Sequence, residues 1–132
     1  VPPRLSAAEA FLKNKGIKTL LIVAHSQGAT MSSYYLSRHP SDVKGFIAIG
    51  MGATQKDSHI NSAASLKKIT IPVLDLYGDD DLPGVLETAD ARKESSAHNA
   101  QYSQQMIKGA NHFFDGMDDE LISAVADWAQ QF

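Results

Sequence analysis

The sequence holds no cysteine. Disulfides, thiolate nucleophiles and cysteine metal sites are thereby excluded, and the redox compartment leaves no trace. An excess of positive charge is also missing, since twelve Lys and Arg against fifteen Asp and Glu give a formal net charge of −3. Basic and acidic residues are interspersed, so no stripe exists to follow a phosphate backbone and no nucleic-acid partner is expected. Long apolar runs are absent too. Those at Leu20 to Ala24 and Phe46 to Ala53 fall far short of the roughly 20 residues of a membrane-spanning helix, so no membrane span is expected. No targeting segment is legible, and the compartment stays open. Neither G-x-x-x-x-G-K-[ST] nor G-x-G-x-x-G occurs, which leaves a small doubly wound domain binding a phosphorylated ligand without a supporting motif.

At 132 residues, 43% hydrophobic and 20% charged, the chain is expected to be one soluble globular domain with a single core. Val1-Pro2-Pro3-Arg4 opens without methionine, which suits a processed product or a fragment of a longer chain.

Along the chain, apolar periodicity alternates. Ser6 to Glu9 has capping-box spacing before a short helix that draws apolar contacts from Leu5, Ala10, Phe11 and Leu12 and ends near Gly16. Lys18 to Ala24 reads as a buried strand, and Ala29 to His39 as a helix stopped by Pro40. Val43 to Gly50 reads as the next strand. Met51 to Ser65 is polar and irregular, with a helical turn near Ala63 to Lys68. Ile71 to Tyr77 is the third strand, left by the turn Gly78-Asp79-Asp80-Asp81, and Val85 to Ala97 a helix with Asp90 and Glu94 facing solvent. Gln101 to Lys108 is a polar strand suited to a sheet edge, followed by the loop Gly109 to His112. The last helix carries the stripe Leu121, Ile122, Val125, Ala129 and Phe132. Such alternation predicts an α/β fold: three αβα layers around a mainly parallel sheet of about four strands.

The chemistry is concentrated at Ala24-His25-Ser26-Gln27-Gly28, between the first strand and its helix. This is the G-x-S-x-G nucleophile elbow with alanine for the first glycine. A sharp strand-to-helix turn holds the serine in a strained conformation with its hydroxyl exposed, and small neighbours keep strand and helix close. The following N–H, that of Gln27, is the expected oxyanion-hole donor at the positive end of the helix. In an open parallel sheet, functional groups collect beyond the carboxyl ends of strands. Three such loops carry Ser26, the acidic run Asp79 to Asp81, and His112. Serine needs a base, imidazole titrates near working pH, and a carboxylate holds the imidazole's tautomer. A Mg²⁺ or Ca²⁺ site in the acidic run lacks further ligands in the sequence, so neither metal nor cofactor is expected. His39, His59 and His98 read as surface residues.

With Leu20 to Gly28 (LLIVAHSQG), Val73 to Asp81 (VLDLYGDDD) and Lys108 to Phe114 (KGANHFF), the sequence resembles the α/β-hydrolase superfamily over nearly its whole length. More narrowly, it is similar to an uncharacterised bacterial family of hydrolase-like proteins. The resemblance implies a Ser26–His112–Asp81 triad, the acid placed by G-x-x-D spacing from Gly78, with Asp80 as second choice. It marks His25 as a common neighbour of the nucleophile. It also implies about four further strands before the elbow, of which this chain has none, and with them a second oxyanion donor. The expected fold is therefore an incomplete α/β-hydrolase fold, the C-terminal half of a longer protein and a poor catalyst alone.

The function expected is hydrolysis of a small-molecule carboxylic ester, at an open site without a lid domain because the Met51 to Lys68 connection is short. A non-catalytic binding or interaction module that keeps the triad as a relic is the competing reading. Self-association through the exposed sheet edge or through the final helix, at Trp128 and Phe132, is a further expectation.

Overall fold

Four apolar runs become strands: β1 (Leu21–His25), β2 (Gly45–Ile49), β3 (Val73–Asp80) and β4 (Tyr102–Asn111). Between them lie helices α1 (Pro2–Asn14), α2 (Gln27–Arg38), α3 (Ser62–Leu66), α4 (Pro83–Leu86), α5 (Ala89–Ser95) and α6 (Asp118–Ala129). The computed structural model describes residues 2–54 and 60–132. The strands lie in the order β1-β2-β3-β4, and every pair is parallel. All strands therefore end on the same side, so the loops carrying Ser26, Asp81 and His112 gather there.

β2 shows why a continuous apolar run was needed: all five of its residues are buried. Phe46 and Ala48 join Ala29, Met51, Leu66, Ile69 and Val73 in one cluster. Ile47 and Ile49 join Leu74, Leu76, Ile107, Phe114 and Ala124 in another, against which Leu121, Val125 and Trp128 pack. Side chains alternate across a strand, so these clusters are the two faces of the sheet, one covered by α2 and α3, the other by α6. This is a three-layer αβα arrangement, and β4 is an edge strand as its polarity suggests.

Several boundaries differ from the sequence reading. α1 begins at Pro2, ahead of the Ser6–Glu9 spacing, and buries no side chain; Phe11 is exposed. Polar contacts hold it instead. The Glu9 carboxylate accepts from Ser41 Oγ at 2.7 Å and the Asp42 N–H at 3.3 Å, and Lys13 pairs with Asp42. β1 starts at Leu21 rather than Lys18, where its ladder with β2 begins at Gly45. The helix read over 85–97 is two helices, because the Thr88 hydroxyl turns to local partners, donating to the Gly84 carbonyl at 2.6 Å and accepting from Arg92 Nη1 at 2.9 Å. The buried stripe of α6 runs through Ala124 and Trp128, leaving Ile122 exposed.

The stretches read as a turn from Gly78 and a loop from Gly109 are strand as far as Asp80 and Asn111. Ladder pairing continues past an irregularity to Asp80 opposite Asn111. Gly78 makes this approach feasible, since a Cβ there would stand 1.9 Å from the Ala110 carbonyl oxygen. Of the irregular stretch expected after Met51, residues 55–59 lie outside the described residues, His59 among them.

Candidate functional site

Ser26 joins β1 to α2 with φ 56° and ψ −124°. A positive φ at a non-glycine residue costs about 1–3 kcal/mol and persists only where the surroundings impose it. Here they do. The Ser26 N–H donates to the Ile49 carbonyl at 2.8 Å, tying the turn to β2, and the Ser26 carbonyl accepts from Ala29 and Thr30 at 3.0 and 3.2 Å, opening α2. The side chain takes no part in capping the helix. At the same helix end, the Gln27 N–H has no acceptor among the described residues, as expected where a helix begins. The first-glycine position holds Ala24, and a Cβ added at Gly28 would meet the Ala24 Cβ at 3.9 Å. That is ordinary contact distance, so a methyl group fits at Gly28.

The Ser26 hydroxyl finds its partner across the top of the sheet. Ser26 Oγ lies 2.9 Å from His112 Nε2, and His112 Nδ1 lies 2.6 Å from Asp81 Oδ1. A carboxylate accepts, so Nδ1 carries a proton; in the neutral imidazole Nε2 is then the acceptor for the serine hydroxyl. Both His112 and Asp81 are buried. Asp81 Oδ1 also accepts the Leu82 N–H at 2.7 Å, which fixes the carboxylate from its own backbone. The neighbouring aspartates stand apart. Asp79 accepts the Gly109 N–H at 2.6 Å on the exposed side, and Asp80, paired with Asn111 in the ladder, is exposed. Of the three aspartates, Asp81 is the one hydrogen-bonded to His112.

Gly50 is a position that the sequence reading missed. It follows β2 with φ +58°, and a Cβ there would stand 3.1 Å from both Cε1 and Nδ1 of His112 and 3.5 Å from Asp81 Oδ2. The imidazole thus lies against bare backbone. The available signal was a glycine closing an apolar strand at the level where the other strand ends carry polar groups. Each of the four strand ends now contributes: Ser26 after β1, Gly50 after β2, Asp81 after β3 and His112 after β4.

A buried ion pair was also missed. Asp75 on β3 and Arg92 on α5 are both fully buried, with Arg92 Nε donating to Asp75 Oδ2 at 2.7 Å. The same oxygen accepts from Tyr102 at 2.6 Å and Gln104 at 3.1 Å. Burial, then the Asp75 charge, pushes the Tyr102 phenol far above its ordinary value. The signal was a lone aspartate inside the apolar run Val73 to Tyr77, which only a partner on another element could compensate.

Of the remaining histidines, His39 is half-buried and stacks on Tyr35 at 5.1 Å. His98 is exposed, its Nε2 3.0 Å from the Ile69 carbonyl. No cluster of three or more metal-ligating side chains occurs among the described residues. Nor is any described helix long and apolar enough to cross a membrane.

The family model described as "Protein of unknown function (DUF3530)" matches residues 1–131. No curated protein matches the sequence. Among solved structures, the chain is similar to the Pyrococcus furiosus esterase Pf2001, with a TM-score of 0.82 and 16% identity over 98% of this chain and 61% of that one. It is similar also to the esterase domain of a Rhodothermus marinus protein, with a TM-score of 0.78 and 16% identity over 97% of this chain and 68% of that one. A third is MGS-MChE2, an α/β hydrolase enzyme from the metagenome of lagoon sediments of Mar Chica, Morocco. Its TM-score is 0.72 and its identity 15%, over 96% of this chain and 68% of that one. These likenesses establish the fold, and the chain spans about three fifths to two thirds of each structure's length.

Proposed function

For a chain that belongs to the DUF3530 family and carries an α/β-hydrolase fold, we propose hydrolysis of a carboxylic ester with Ser26 as nucleophile, His112 as base and Asp81 as orienting acid. The observation that carries this reading is the continuous hydrogen-bonded run from a strained serine hydroxyl through a buried imidazole to a buried carboxylate. A structural serine gains nothing from a positive φ, whereas a nucleophile gains an accessible hydroxyl.

In the proposed reaction, Ser26 Oγ bonds to the ester carbonyl carbon while its proton passes to His112 Nε2. Asp81 stabilises the imidazolium, and the Gln27 N–H donates to the new oxyanion. Collapse breaks the bond to the alcohol, which leaves with the proton from His112, and an acyl-Ser26 remains. Water then attacks with its proton going to His112, releasing the acid and restoring the serine.

We read the chain as one α/β-hydrolase-like domain that further strands would extend at the free edge of β1. The greater length of the three similar structures supports this. With Gln27 as its one oxyanion donor, such a domain would work about 10²- to 10³-fold below an enzyme with two. The test is covalent labelling by a fluorophosphonate, which requires an activated serine. Labelling lost in Ser26→Ala and His112→Ala supports the hydrolase. Failure of the folded natural protein to label would favour a binding module.

A further inference from the structure

His25 ends β1, next to the nucleophile, and its Nε2 lies 2.8 Å from the carbonyl oxygen of His112. A carbonyl can only accept, so His25 donates, and it can do so whether its ring is neutral or protonated. The two imidazole centroids are 4.7 Å apart, and the largely exposed Phe113 ring stands 5.9 Å from that of His25. This bond joins positions 87 residues apart, the last residue of one edge strand and the first residue after the other.

Of the bonds at His112, those to Asp81 and Ser26 hold only the ring. The backbone that carries the ring leaves β4 at Asn111 and enters a turn with positive φ at Phe114 and Gly116. A swing of this backbone would pivot the ring about its bond to Asp81 and carry Nε2 away from Ser26 with that bond intact. Asn111 bonds within the turn and the buried Phe114 anchor its far side, and the His25 donor holds the His112 carbonyl itself to β1 against this swing.

We propose that His25 is a positioning residue, a strut that ties the His112 backbone to the strand bearing Ser26 and so holds the serine–imidazole distance. The inference rests on the reading of these two residues as nucleophile and base.

Two variants of the full-length natural protein separate the possibilities. His25→Phe keeps a ring and removes the donor; His25→Gln keeps an amide donor. Two readouts are taken on each: the second-order rate of fluorophosphonate labelling at Ser26, and the ¹⁵N spectrum of His112, which reports its tautomer and order. His25→Phe is expected to slow labelling about tenfold, the scale of one net hydrogen bond, with His25→Gln within about threefold of wild type. The His112 signal should stay sharp in wild type and His25→Gln and broaden or mix tautomers in His25→Phe. Labelling of His25→Phe at the wild-type rate, or an unchanged His112 spectrum, overturns the proposal. If the wild type itself does not label, the hydrolase reading fails, and the His112 spectra alone decide the strut.

Discussion

Ser26 Oγ and His112 Nε2 are 2.9 Å apart although β1 and β4, the strands that deliver them, are the two edges of the sheet. Three strand spacings of about 4.8 Å put those strand ends roughly 14 Å apart. The gap is closed by the residues after β4, which bring the imidazole back across Gly50 and beside Asp81. The pair is thus a property of the whole sheet top, and each strand end can be tested separately.

The first prediction concerns the three aspartates. Asp81→Asn should lower labelling and ester hydrolysis by about 10³- to 10⁴-fold, because an amide that donates to Nδ1 favours the wrong imidazole tautomer. Asp79→Asn and Asp80→Asn should stay within about threefold of wild type, since neither contacts His112. Kinetics with a chromogenic ester would check this, and a large loss at Asp80 with none at Asp81 would reassign the acid.

Two glycines should behave in opposite ways. Gly50→Ala places a methyl 3.1 Å from the His112 ring at a φ of +58°, so it should cost about 1–2 kcal/mol in backbone strain and displace the imidazole. Gly28→Ala meets only the Ala24 methyl at 3.9 Å inside α2 and should be neutral or stabilising by up to about 1 kcal/mol. Urea unfolding together with labelling rates would reveal the contrast. Equal effects at both positions would refute the packing argument.

The buried pair should matter for stability. Asp75→Ala or Arg92→Ala leaves one charge without its partner and should cost about 3–5 kcal/mol. The double variant Asp75→Leu with Arg92→Met should cost less than either single change, as both charges are then gone. Denaturant midpoints of the three proteins measure this; a double variant as unstable as the sum of the singles would mean the pair is not the source.

Stability at high pH should depend on Tyr102. Its phenol titrates above the ordinary value of 10.0 in the folded protein because burial and the Asp75 charge oppose ionisation. The folded state therefore holds that proton more tightly than the unfolded state. The contribution is fully present below pH 10.0 and is lost as pH rises above it. Wild type should lose more stability between pH 9 and pH 11 than Tyr102→Phe. Identical slopes would remove Tyr102 as the cause.

The order of strands and helices, the parallel sheet and the sharp strand-to-helix turn at Ser26 were legible in the sequence, because each depends on short-range periodicity or on a turn that forces its own residue types. The run Leu20 to Ala24, a strained serine and a following helix are local facts. That Ser26, Asp81 and His112 lie beyond strand ends was readable in the same way, with the aspartate singled out from its neighbours by resemblance; the roles given to them are the proposal above. The ends of β3 and β4 were misread, since their pairing depends on how closely Gly78 lets the Ala110 backbone approach. The fit of Gly50 beneath His112, the reach of His25 to the His112 carbonyl, and the meeting of Asp75 with Arg92 were decided by tertiary structure alone. Each joins residues far apart in the chain, at distances of a few ångströms that only the completed sheet defines.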